Sequence, residues 1–143
     1  MNIQQYQVLL MRRLLQWSLF SIAFGSILLP GHRFWRGVGA QFIGWALIDG
    51  LIAYVGGEQA RQAARRDVAD DPGQAAVERR NLRALLWFNA ALDLLYMRGG
   101  LWLALRRRSS LFTRGMGVGI IIQGGFLFFF DLIHGVRVSD VSE

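Results

Sequence analysis

The stretch GMGVGIIIQGGFLFFFDLIHGV, residues 115–136, carries one glutamine, one aspartate and one histidine and is otherwise apolar or glycine. A helix rises about 1.5 Å per residue, so this stretch reaches roughly 33 Å, against a bilayer hydrocarbon core of about 30 Å. It reads as a membrane span. Working outward, residues 84–105 and 37–57 have the same length and character. The first apolar run, Leu14 to Leu29, is shorter, but Leu9, Leu10 and Met11 extend it to 9–29 if Arg12 and Arg13 turn their heads to the interface. The basic-then-apolar order of this run is also that of a signal peptide. It ends at Pro30-Gly31 rather than at a small-x-small cleavage site, so it is taken as the first span.

The expected fold is therefore all-α: a four-helix transmembrane bundle, one integral membrane domain over residues 1–143, with both termini on one side. Residues 58–83 are rich in alanine and arginine and broken by Asp70-Asp71-Pro72-Gly73, a turn sequence, and predict a charged helical hairpin between the second and third spans. Nine arginines fall on the side of the termini and six on the other, which favours an inner-membrane, multi-pass protein with both termini in the cytoplasm.

Composition agrees. Of 143 residues, 53% are apolar, and the sixteen basic residues are all arginine, giving a net charge of +6. They flank apolar stretches, where they meet lipid head groups, so the expected partner is the bilayer and not nucleic acid. With no lysine, Schiff-base cofactors of the retinal or pyridoxal kind are excluded, and with no cysteine, thiolate chemistry and iron-sulfur clusters are excluded. His32 and His134 belong to opposite membrane faces and cannot hold one haem within a monomer. No cofactor is indicated.

Two further patterns matter. Gly37-x3-Gln41-x7-Asp49 is matched without a gap by Gly119-x3-Gln123-x7-Asp131, and Trp17 and Trp87 occupy comparable places, which suggests two parallel two-helix repeats. The second pattern is depth. Counted from the side of the termini, Asp49, Asp93 and Asp131 lie roughly 12, 14 and 8 Å in, within one leaflet. Asn89, His134, Gln16, Ser18 and Ser21 enter from the same side, so every helix contributes to one polar layer. Asn89, Asp93, Tyr96 and Gly100 share one stripe of the third span, whereas Arg98, five residues past Asp93, points about 140° away. A central Asp or Arg costs about 2.5–3.5 kcal/mol to insert and each large apolar residue returns about 0.3–0.6 kcal/mol, so the third span needs neighbours to hold it in the membrane.

The segments Phe88-Asn89-Ala90-Ala91-Leu92-Asp93-x2-Tyr96 and Ile121-Ile122-Gln123-Gly124-Gly125-Phe126-Leu127-x2-Phe130-Asp131 resemble a family of small bacterial four-helix membrane proteins of unknown function. Gly44-Trp45-Ala46-Leu47-Ile48-Asp49 is similar to its second span, with Asp49 where the family pattern has Asn, and Ala91 and Arg98 depart from that pattern. The resemblance implies the fold and no activity.

Ionisable groups inside a membrane are functional candidates. One reading makes Asp49, Asn89, Asp93, Tyr96, Gln123, Asp131 and His134 a site that binds or transports a small ligand, a cation or protons. The alternative is a non-enzymatic accessory or scaffold subunit, in which Arg98 and Gln41 make helix-pairing contacts with a second copy or a membrane-complex partner. An enzyme is the weakest reading. Asp131-x2-His134 offers two metal ligands from one helix face, but no catalytic spacing and no full metal set accompany it.

Overall fold

The computed structural model describes residues 2–65 and 72–140. Four helices account for nearly all of them: α1 (Ile3–Leu28), α2 (Arg33–Arg65), α3 (Pro72–Leu105) and α4 (Leu111–Arg137), followed by a short 3-10 turn, Val138–Asp140. No strand occurs among the described residues. Asn2 and Gln5 cap α1 reciprocally: Asn2 Oδ1 accepts from the Gln5 amide at 2.9 Å, and Gln5 Oε1 accepts from the Asn2 amide at 3.3 Å. Ser110 caps α4 by accepting from the Thr113 amide at 3.1 Å. Proline and glycine at 30 and 31 end the first helix, where the Gly31 amide bonds the Leu28 carbonyl.

Adjacent helices in sequence run antiparallel, α1 along α2 and α3 along α4, and the two pairs join through α2 and α4, which run parallel. Glycine makes these contacts possible. The backbone of α2 at Gly37 lies against Phe112 and Met116, and that of α4 at Gly115 lies against Phe34 and Val38, so close that a Cβ on either glycine would collide with backbone. Gly25 and Gly39 meet in the same way between α1 and α2, as do Gly100 and Gly117 between α3 and α4. Small residues let helix backbones approach where dispersion must replace the hydrophobic effect. The contact register pairs Gly37 with Gly115 across the α2·α4 seam and sets Gly119 beside Gln41.

The outer surface is largely apolar and the interior is mixed. Leu19, Ile27, Leu47, Leu51, Leu95 and Phe129 are exposed on the outer surface, while Ser18, Ser21, Asp49, Asp93, Gln123, Asp131 and His134 are buried among apolar residues such as Leu10, Phe42 and Leu86. An apolar exterior over buried polar groups suits hydrocarbon surroundings. Three helices, α1, α2 and α4, are long and apolar enough to cross a membrane. The third falls short of that standard. Asn89, Asp93 and Arg98 lower the apolar balance of its stretch 84–105. Both α2 and α3 remain helical well beyond their apolar parts, to Arg65 and from Pro72, and the turn residues Asp70 and Asp71 of the expected hairpin lie outside the described residues.

At the end that carries the termini, Ile3, Tyr6 and Leu10 of α1 pack with Leu82 and Leu86 of α3 and with Val138, the main apolar cluster. The side chain of Gln4 donates to Glu78 at 3.1 Å and adds a polar tie between α1 and α3.

Candidate functional site

One helical turn toward the middle from that cluster, α2 and α3 hardly touch, and a cavity of about 260 Å³ fills the space between the helices. The three aspartates meet there from three helices: Asp49 from α2, Asp93 from α3 and Asp131 from α4. All three are buried, at 5%, 4% and 8% exposure. Asn89 and Tyr96 join them on the wall, as the three-and-four spacing along α3 requires. Gly100, one turn further on that stripe, serves packing instead, against Gly117. From α1 the cavity meets only Leu10, Met11 and Leu14.

The carboxyls of Asp93 and Asp131 face the same cavity from neighbouring helices. A carboxylate only accepts, so two such groups can bond each other only when one of them carries a proton. Asp49 lines the same cavity from α2. Its Oδ2 and that of Asp93 are buried without a hydrogen-bond partner. No arginine lines the cavity. The three carboxyls do not converge as a chelate, and among the described residues no group of three His, Cys, Asp or Glu is placed to hold a metal ion. The cavity wall is otherwise apolar, except where the rings of Trp45 and Tyr96 meet edge to face at 5.1 Å. Trp45 enters the site unforeseen. It sits four residues before Asp49, on the same face of α2.

Two other expected members stand apart from the cavity. Gln123 is 1% exposed and fully engaged with α1: its Oε1 accepts from Trp17 Nε1 at 2.8 Å and its Nε2 donates to Ser21 Oγ at 3.2 Å. Trp17 also stacks on Phe126, with centroids 3.5 Å apart and planes 8° from parallel. His134 donates from Nδ1 to the Phe130 carbonyl at 2.7 Å and accepts at Nε2 from Arg13 at 3.1 Å. A carbonyl only accepts and a guanidinium only donates, so the ring in this arrangement is the neutral Nδ1–H tautomer, with both nitrogens occupied. The Tyr6 hydroxyl closes the group by donating to the His134 carbonyl at 3.3 Å. These networks clamp α1 to α4, and sequence spacing gave no sign of them, because their partners stand more than a hundred positions apart.

Gln41 lies on the α2·α4 seam with its side chain against Gly119. Arg98 is exposed and sits with Leu101, Trp102 and Arg106 on the outer face of α3, with no ion pair among the described residues.

Residues 13–132, most of the chain, match the family of unknown function DUF6992. The chain belongs to that family. All three cavity aspartates and the Trp17–Gln123 clamp of this DUF6992 member fall inside the matched region, whereas Tyr6 and His134 fall outside it. No curated protein and no solved structure matches the chain.

Proposed function

We propose that this DUF6992 member is a small bacterial inner-membrane protein that crosses the bilayer four times, with both termini cytoplasmic, and that its cavity binds a cation in exchange for a proton. The observation that carries the reading is the pair of buried, unpartnered oxygens, Asp49 Oδ2 and Asp93 Oδ2, facing a space without a counter-charge. Buried carboxylates are costly unless a cation or a proton neutralises them. Asp93 and Asp131, buried at one cavity, supply a place for such a proton. An incoming cation replaces it, and the charge of the site is conserved.

Four crossings require α3 to sit in the membrane despite its polar residues. The packing of α3 along α4 and the inward placement of Asp93 support this. The arginine-rich ends of α2 and α3 then extend beyond the bilayer on the side of the termini as a charged hairpin.

The test is proton release from purified protein in lipid nanodiscs on addition of sodium, potassium or an organic ammonium salt. Wild-type protein releases protons saturably, and Asp49→Asn and Asp131→Asn, which keep shape, do not. A wild-type response to none of these cations refutes the reading.

Arg98 favours a second role, compatible with the first. An exposed arginine among Leu101, Trp102 and other apolar residues of α3 is costly toward lipid unless a carboxylate of another chain, or of a second copy, covers it. Arg98→Leu should then abolish any oligomer or complex that survives mild detergent. An assembly unchanged by that substitution excludes the contact.

A further inference from the structure

We infer that the cavity among Asp49, Asp93 and Asp131 takes an organic ammonium ion with an apolar or aromatic body, not a bare inorganic cation. The inference rests on the proposed cation site and specifies what fills it.

Size is the first argument. A water molecule occupies about 30 Å³ of liquid volume, so the cavity of about 260 Å³ is several times larger than a monovalent ion requires. Chemistry is the second. An inorganic ion in so wide a space must keep its hydration shell, and those waters need polar partners on every side. The wall supplies polar groups at the three aspartates, Asn89, Tyr96 and the indole of Trp45, while Leu10, Leu14, Ile48 and Leu127 offer hydrocarbon. The carboxylate geometry is not that of a chelate either. A single ammonium group with a hydrocarbon body matches both halves of this surface: its N–H donors satisfy Asp49 Oδ2 and Asp93 Oδ2, and its body takes up the apolar volume.

The aromatic residues give a third argument. Trp45 and Tyr96, fixed edge to face, border the cavity, and ring faces attract ammonium groups. The competing internal cations are otherwise placed. Arg13 is bonded to His134, and Arg98 lies on the outer face. The charged and titratable groups facing the site are thus Asp49 from α2, Asp93 and Tyr96 from α3 and Asp131 from α4, with only apolar side chains from α1. Ile48, Ile52, Leu85 and Tyr96 line the cavity and are also exposed on the outside of the bundle. An amphipathic cation already dissolved in the bilayer therefore has a short path to the site between α2 and α3.

On binding, the ammonium ion enters with its positive charge and one proton leaves a carboxyl for solvent, so the net charge of the site does not change. The experiment is calorimetry on the full chain in nanodiscs with phenethylammonium as probe, phenethyl alcohol as its neutral counterpart and sodium and potassium chloride as inorganic counterparts, each in two buffers of different ionisation enthalpy to count protons. Phenethylammonium should bind saturably, at least about tenfold more tightly than the alcohol, and release a proton. Asp49→Asn should weaken it by about tenfold or more. Trp45→Leu, which changes no charge, should weaken it by about fivefold. If sodium or potassium releases the proton and phenethylammonium binds no better than the alcohol, this inference is overturned and the cation site stands. Unweakened binding to Trp45→Leu also overturns it. If no cation binds, both fall together.

Discussion

At the scale of single residues, the molecule separates groups that hold the bundle from groups that face its cavity. Gln123 belongs to the first kind. It bridges Trp17 and Ser21, so Gln123→Ala strips partners from two groups at once. Each buried polar group left unpaired costs about 1–3 kcal/mol, and a clearly lowered melting temperature in detergent should follow. Trp17→Phe keeps a ring to stack on Phe126 and loses only the indole donor, so its loss should be smaller. Circular dichroism melts of the two variants check the order. The aspartates behave differently. Asp49 Oδ2 has no partner to lose, so Asp49→Asn should leave thermal stability unchanged or raised while it weakens cation binding, a combination that the same melts and the calorimetry together detect.

Helix contacts follow the glycines. A side chain at position 115 would strike the Phe34 carbonyl, and one at 37 the Phe112 carbonyl, whereas a Cβ at Gly44 or Gly99 meets nothing within 4 Å. Overpacking costs about 1–3 kcal/mol even where side chains can adjust, and here the obstacle is backbone. Gly115→Val should therefore separate α2 from α4 and yield aggregated or unfolded protein. Gly99→Ala should be neutral or slightly stabilising, because alanine favours helix over glycine by about 1 kcal/mol. Size-exclusion profiles of the two variants in one detergent test the contrast. The helices themselves were legible from apolar length, and the cavity face of α3 from the spacing of Asn89, Asp93 and Tyr96. The partners of the glycines were not. The match of Gly37 with Gly119 concerns repetition and not contact, which depends on how two rods lie against each other: the backbones set Gly37 against Phe112 and Met116, and Gly115 and Gly119 against Phe34, Val38 and Gln41.

Across the whole molecule, the same difference explains what sequence could reach. Depth along a helix follows from counting residues, so the layer of Asp49, Asp93 and Asp131 could be read in advance, and the structure brings all three to one cavity. Rotation and lateral order of the helices do not follow from counting, so the engagement of Gln123 and His134 by α1, and the entry of Trp45 into the cavity, emerged only from the folded arrangement. Four crossings have a simple check. Because the chain has no cysteine, single cysteines introduced at Gly31, Gly73 and Arg107 report sidedness without background. Impermeant maleimide added to intact inside-out vesicles should label position 73 alone, and added to right-side-out spheroplasts, positions 31 and 107. Labelling of 31 and 107 from opposite faces would contradict a crossing by α3.

The proposed cation exchange depends on a proton shared by the carboxyls of Asp93 and Asp131, and infrared difference spectroscopy would observe it directly. The carbonyl stretch of a protonated carboxylic acid stands apart from the carboxylate bands. Wild-type protein in nanodiscs should show this band without added cation, lose it when an organic ammonium salt is added, and lack it in Asp131→Asn. A spectrum with no protonated carboxyl, or a band that persists unchanged after cation addition and in both Asp93→Asn and Asp131→Asn, would contradict the exchange.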